Sequence, residues 1–81
     1  MLILVDTPMA EIAFRTAENV ENAALVLIQD GVLLEPELDV PTYAVKRDVE
    51  IRGVNPPDAV ELISYDELVE KMFEQEVKSF V

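Results

Sequence analysis

Four short runs of aliphatic and β-branched residues divide the chain. They are Leu2–Val5, residues 23–28, Thr42–Val45 and Val60–Ile63. Runs this short and this apolar read as strands buried on both faces of a sheet. Between the first two lie Met9, Ile12, Ala13, Thr16, Ala17 and Val20, at i, i+3, i+4, i+7, i+8 and i+11. That spacing predicts an amphipathic helix over residues 8–19, with Thr7 as N-cap and Pro8 in the first turn. Phe14 falls off the stripe and is expected to touch a partner, and residues 19–22 end the helix. Gln29-Asp30-Gly31 stops the second run with turn chemistry, since Asp bonds its own backbone and Gly tolerates positive φ. Val32-Leu33-Leu34 suits either a short strand or a turn of helix, and Pro36 a short helical turn within residues 35–39. Asp48 is expected to cap a short helix over residues 49–52, closed by Gly53 at its C-terminal end.

The clearest local signal comes late. Ser64-Tyr65-Asp66-Glu67 fits a capping box, in which the Ser64 hydroxyl accepts from the Glu67 N–H and Glu67 reaches back. Tyr65, Leu68, Val69, Met72 and Phe73 form the apolar stripe of a helix over residues 65–76, with Glu67 and Lys71 as an i,i+4 pair. The tail over residues 77–81 keeps Phe80 and Val81 apolar, so it is expected to dock on this chain or a neighbour. Strand-like runs alternating with helical patterns predict one small α/β domain over residues 1–81, with a mostly parallel four-stranded sheet and helices on its faces. Two substantial helices cover less than two full faces, and a domain of this size buries only about 60–65% of its unfolded surface. Self-association or a partner is therefore expected to cover the remainder.

Composition narrows the function. Six Lys+Arg against 17 Asp+Glu leave a net charge of −11, which opposes direct binding to nucleic acid or to an anionic membrane surface. A hydrophobic content of 51% argues against disorder despite that charge. With no cysteine, this chain forms no disulfide and offers no zinc thiolate, thiol nucleophile or persulfide carrier. With no histidine it also lacks the commonest general base. Met1-Leu2-Ile3-Leu4-Val5 is too short for a membrane span and has no basic region before it, so a cytoplasmic location is expected.

Ligands of parallel sheets sit at the carboxyl ends of the strands, where this chain carries Asp6-Thr7, Gln29-Asp30-Gly31, Lys46-Arg47-Asp48 and Ser64-Tyr65. Asp6, Asp30 and Asp48 are the candidates for acid–base work, although each also suits a cap or a turn. The acidic spacing matches no cation loop, and Gly31 and Gly53 stand in no phosphate-binding pattern. Without histidine a serine nucleophile would depend on lysine as base, and Ser64 already has a capping role. Lys46-Arg47 suits an anion or a partner's carboxylate, or simply a solvated strand end. No catalytic group, cofactor or metal is expected.

Three stretches carry a resemblance. They are Leu25-Val26-Leu27-Ile28-Gln29-Asp30-Gly31-Val32, the stretch from Tyr43-Ala44-Val45 through Asp48 to Arg52-Gly53-Val54, and Ile63-Ser64-Tyr65-Asp66-Glu67-Leu68-Val69. In order and spacing they resemble the TusB/DsrH family of the DsrE-like superfamily, small subunits of bacterial and archaeal sulfur relays. The resemblance spans most of residues 1–76. It implies a DsrE-like α/β fold and assembly as a homodimer or with paralogous subunits. It also implies a place in a relay serving tRNA wobble-uridine 2-thiolation or dissimilatory sulfur oxidation. Three departures stand out: the absent cysteine, a shortened segment 32–41 bearing Pro36 and Pro41 where the family has a helix, and Phe80 where it often has Trp. The resemblance therefore implies a non-catalytic subunit whose partners, TusC/TusD-like or DsrE/DsrF-like, bring the cysteine. Gln29, Asp30, Gly31 and the segment from Asp48 through Arg52 to Gly53 would shape the sheet's carboxyl edge. Tyr65, Met72, Phe73 and Phe80 would supply contacts, and the chain alone is expected to be at least a dimer. The alternative is a stand-alone homodimer that binds a small ligand at the strand ends. An enzyme using only Asp, Lys or Tyr is the third reading.

Overall fold

A computed structural model describes residues 1–81. Strand β1 (Leu2–Val5) leads through a 3₁₀ turn (Thr7–Met9) into helix α1 (Ala10–Asn19) and then β2 (Ala24–Leu27). A second 3₁₀ turn (Gln29–Leu33) and an irregular segment precede β3 (Thr42–Val45), α2 (Lys46–Arg52), β4 (Val60–Ile63), α3 (Tyr65–Glu74) and β5 (Val77–Phe80). All four pairings are parallel, in the order β4-β3-β2-β1-β5.

The order explains the layers. From β1 to β4 every step runs the same way across the sheet, so right-handed crossovers place those connections on one face. The step from β4 to β5 runs back past three strands, and its helix α3 falls on the opposite face. Two cores result. Ile3, Val5, Leu25, Leu27, Ala44 and Phe80 pack with Ala13 and Ala17 of α1, Val32 and Val49. Leu2, Leu4, Val26, Val45 and Ile63 pack with Leu68 of α3. Consecutive β1 residues divide between the cores, as strand geometry requires. No helix is long and apolar enough to cross a membrane.

Several expectations change. The sheet has five strands, because the tail forms β5 in register with β1, Leu2 opposite Val77 and Val5 opposite Phe80. Phe80 is accordingly a core residue only 8% exposed: of the two places expected for the tail, it docks on this chain and not on a neighbour. Helix α1 is rotated from the expected stripe: Ala13 and Ala17 face the sheet, Phe14 packs half-buried against the core, and Ile12 points outward. Small alanines let the helix approach closely, and that approach outweighs the larger side chain. Asp6, not Thr7, caps the first turn, accepting from the Thr7 N–H at 2.7 Å. Between Leu34 and Pro41 no helical turn opens at Pro36; Leu34, Leu38 and Val40 lie as apolar packing against the first core.

Candidate functional site

The carboxyl edge of β2 and β3 converges on Asp48. Helix α2 begins at Lys46, directly after β3, so Asp48 is its third residue and not its cap. Its side chain is buried and crosses to the neighbouring elements. One oxygen, Oδ2, accepts from the Gln29 backbone N–H at 2.8 Å and from the Tyr65 O–H at 3.0 Å. The other, Oδ1, lies 3.8 Å from Nη1 of Arg52. Arg52 in turn donates from Nη1 to the Asp48 carbonyl at 3.3 Å and from Nε to Oδ1 of Asp30 at 2.9 Å. One buried carboxylate therefore ties the turn after β2, helix α2 and the start of α3 together, with Arg52 closing the ring to Asp30.

Local backbone chemistry sets each member. Gln29 adopts φ +48°, a conformation uncommon outside glycine, and the bond from its N–H to Asp48 helps hold it there. Gly31, expected to supply that left-handed residue, has a different reason to be glycine. A Cβ there would stand 2.2 Å from the Val5 carbonyl oxygen. The turn after β2 thus lies directly on the end of β1, where the Val5 carbonyl also accepts from the Ile28 N–H at 3.0 Å. Gly53 closes α2 at φ +62°, as its position suggests. Ser64 and Glu67 complete the capping box at the start of α3, in the bonds Glu67 N–H to Ser64 Oγ at 3.1 Å and Ser64 N–H to Glu67 Oε1 at 3.2 Å. That box aims Tyr65 across the edge toward Asp48.

Tyr65 is the one titrating group with a marked shift. Partial burial raises its phenol above the ordinary value of 10.0, the bond to Asp48 and that carboxylate's charge raise it further, and Arg47 and Arg52 pull it back. Lys71 does not pair with Glu67 but sits with its Nζ 4.4 Å from the centroid of the Tyr43 ring.

Of the residues picked from sequence, Gln29, Asp30, Asp48, Arg52 and Tyr65 form one network, Gly31 and Gly53 shape its backbone, and Phe80 lies apart in the core. Asp6, Asp30 and Asp48 do not assemble as an acid–base set. Asp6 caps a turn, and the other two are bridged through Arg52. Lys46 and Arg47 are exposed and outside all three ion pairs. No pocket opens over the network, and no group of three carboxylates is placed to hold a metal ion. The arrangement suits a clamp that fixes loop geometry. Arg52 bridges because its i,i+4 spacing places it beside Asp48 and the fold brings Asp30, 22 positions away, to its Nε.

No protein-family model matches the chain, and no curated protein matches it. Solved structures do, among them two from different bacteria. YchN from E. coli shares 18% identity and a TM-score of 0.76 over 98% of this chain and 97% of its own. Protein Tm0979 from Thermotoga maritima shares 31% identity and a TM-score of 0.67 over 94% of this chain and 95% of its own. The YchN likeness is one of fold, and it is the DsrE-like fold. With nearly a third of positions identical across almost the whole of both chains, and with a fold that is DsrE-like, this protein belongs to the family of Tm0979.

Proposed function

We propose that this chain is a non-catalytic, TusB/DsrH-like subunit of a sulfur relay, docking against paralogous DsrE-like subunits that carry the reactive cysteine. The observation that carries the reading is the combination of a DsrE-like fold with a thiol-free chain whose carboxyl-edge side chains are spent on one another. Asp30, Asp48, Arg52 and Tyr65 are engaged in the clamp, and the sequence contains no cysteine. The resemblance of the Gln29-Asp30-Gly31 and Asp48 to Gly53 segments to TusB/DsrH proteins supports the finer assignment.

The test is co-expression with TusC/TusD-like and DsrE/DsrF-like subunits, followed by light scattering and a persulfide-transfer assay. A stoichiometric complex whose sulfur transfer depends on this chain is expected. Sulfur turnover by the isolated chain would overturn the assignment. A stand-alone ligand-binding role draws support from Lys46 and Arg47, which are exposed and unpaired at the strand ends. A specific small anion that raises the melting temperature, and loses that effect on Lys46→Ala, would favour it.

A further inference from the structure

The connection from the second 3₁₀ turn to β3 is the longest stretch of the chain outside helices, strands and 3₁₀ turns. It starts where the Leu34 N–H donates to the Gly31 carbonyl at 3.0 Å, and ends where the Pro41 carbonyl accepts from the Leu25 N–H at 2.9 Å. Between those bonds, no backbone group of residues 35–40 pairs with another backbone group. The Val40 carbonyl accepts from the Thr42 hydroxyl at 3.1 Å. Burial alternates along the segment, with Leu34, Pro36, Leu38 and Val40 half-buried and Glu35, Glu37 and Asp39 exposed. That alternation is the mark of extended chain. Leu34, Leu38 and Val40 rest against the first core, while the three carboxylates stand outside every ion pair. The segment can lift from the core without breaking one backbone–backbone hydrogen bond, which places it at the low-stability end of the molecule.

An endoprotease takes its substrate as an extended strand with unpaired backbone, and reads the side chain before the cut in a pocket. Exposed loops of this kind are where folded proteins are nicked. Acidic side chains here narrow the choice to one bond. The glutamates outside this segment lie within helices or β4, or in the short connections that hold Glu21 and Glu76. Those two connections are pinned, since the Asn22 carbonyl accepts from the Met1 ammonium at 3.2 Å and the Glu76 carbonyl accepts from the Leu2 N–H at 2.8 Å. Glu35 precedes Pro36, whose ring and missing N–H obstruct cleavage between them. Glu37–Leu38 is left.

We propose that the Glu37–Leu38 peptide bond is a cleavage site for a glutamate-selecting serine endoprotease, and that the nicked chain persists as a two-fragment protein. Hydrolysis adds one water across that amide, leaving a carboxylate on Glu37 and an ammonium on Leu38, with nothing oxidised or reduced. The fragments stay together because the sheet is laced across the cut: β2 pairs with β3, and β1 with β5. Each core also draws on both sides. Ile3 and Leu25 pack with Ala44 and Phe80, and Leu4 and Val26 with Val45 and Ile63. The bonds from the Gln29 N–H to Asp48 and from Arg52 to Asp30 cross it as well. The inference does not rest on the docking-subunit reading.

The experiment exposes the full chain, in native buffer, to a glutamate-specific serine endoprotease, with mass spectrometry over time and size-exclusion chromatography of the product. The first cut is expected after Glu37, at a rate that exceeds global unfolding when protease is abundant. Both fragments are expected to co-elute at the position of the uncut chain and to separate in urea, and the melting temperature of the nicked protein to rise with its concentration. Glu37→Gln, at an exposed position, is expected to slow the first cut at least about tenfold at unchanged melting temperature. A first cut at any other bond, a rate that saturates at that of global unfolding, or cleavage of Glu37→Gln as fast as the parent overturns the proposal. So does separation of the fragments in native buffer.

Discussion

Asp48 and Tyr65, seventeen residues apart, meet at 3.0 Å where α2 and α3 come together at the carboxyl edge of the sheet. The same carboxylate oxygen also holds the Gln29 N–H, 2.8 Å away. A buried acceptor shared by three elements makes their relative positions interdependent.

Asp48→Ala removes the acceptor shared by the Gln29 N–H and the Tyr65 O–H, while Arg52 keeps its bonds to Asp30 and to the residue 48 carbonyl. The expected loss is roughly 2–4 kcal/mol, as for other buried charged hydrogen-bonding groups. Asp48→Asn keeps one acceptor oxygen and is expected to lose about half as much. Urea denaturation of the two variants beside the parent checks the order. Equal stability of all three would show that the clamp holds nothing.

Tyr65 gives a signature at alkaline pH. The folded chain holds the phenolic proton more tightly than the unfolded chain does, because its value is raised. Its contribution to stability is therefore complete below the ordinary value of 10.0 and fades as the pH climbs through the raised one. Tyr65→Phe is expected to flatten this part of the decline. Denaturation midpoints measured from pH 8 upward in both proteins, with parallel curves as the opposing result, decide it.

Gly31 and Gly53 are expected to respond differently to the same change. Gly31→Ala drives a methyl into the Val5 carbonyl, a backbone atom that cannot swing aside, and is expected to cost ~3 kcal/mol or more. Gly53→Ala meets open space and suffers only the left-handed backbone, at about 1 kcal/mol. Thermal melts of the two variants test the ranking, which a larger effect at Gly53 would reverse.

Ser64→Ala breaks one half of the capping box that starts α3 and is expected to cost about 1 kcal/mol. Ser64→Asp, which preserves an acceptor at the cap, should recover most of it. Circular dichroism melts distinguish the pair; identical losses would mean that α3 is set by Leu68 packing alone.

What could be read in advance was local. Leu2–Val5 announces a buried strand because every residue in it is apolar, and Ser64 with Glu67 announces a helix start because both partners lie within four positions. Asp48 resembled a cap because its true partners, Gln29 and Tyr65, stand nineteen and seventeen residues away and are brought close only by the sheet. Gly31 resembled a turn glycine because the Val5 carbonyl that excludes a side chain belongs to a neighbouring strand. The tail Val77–Phe80 carries two polar residues in four, so nothing within it declares a strand; β1 beside it does. Ile12 and Phe14 exchanged roles because the depth of α1 on the sheet is set by Ala13 and Ala17.

The place of β5 beside β1 bears on biosynthesis. Strands β1 to β4 can join in the order in which the ribosome delivers them, each to the one just made. The outer rim of β1 must wait, unpaired, until the segment Val77–Phe80 has emerged. A nascent chain stalled before that point carries an unpaired apolar strand edge, a template for aggregation. The β1–β5 pairing joins residues 75 positions apart, and pairing at such sequence separation makes for slower folding than contacts between neighbours.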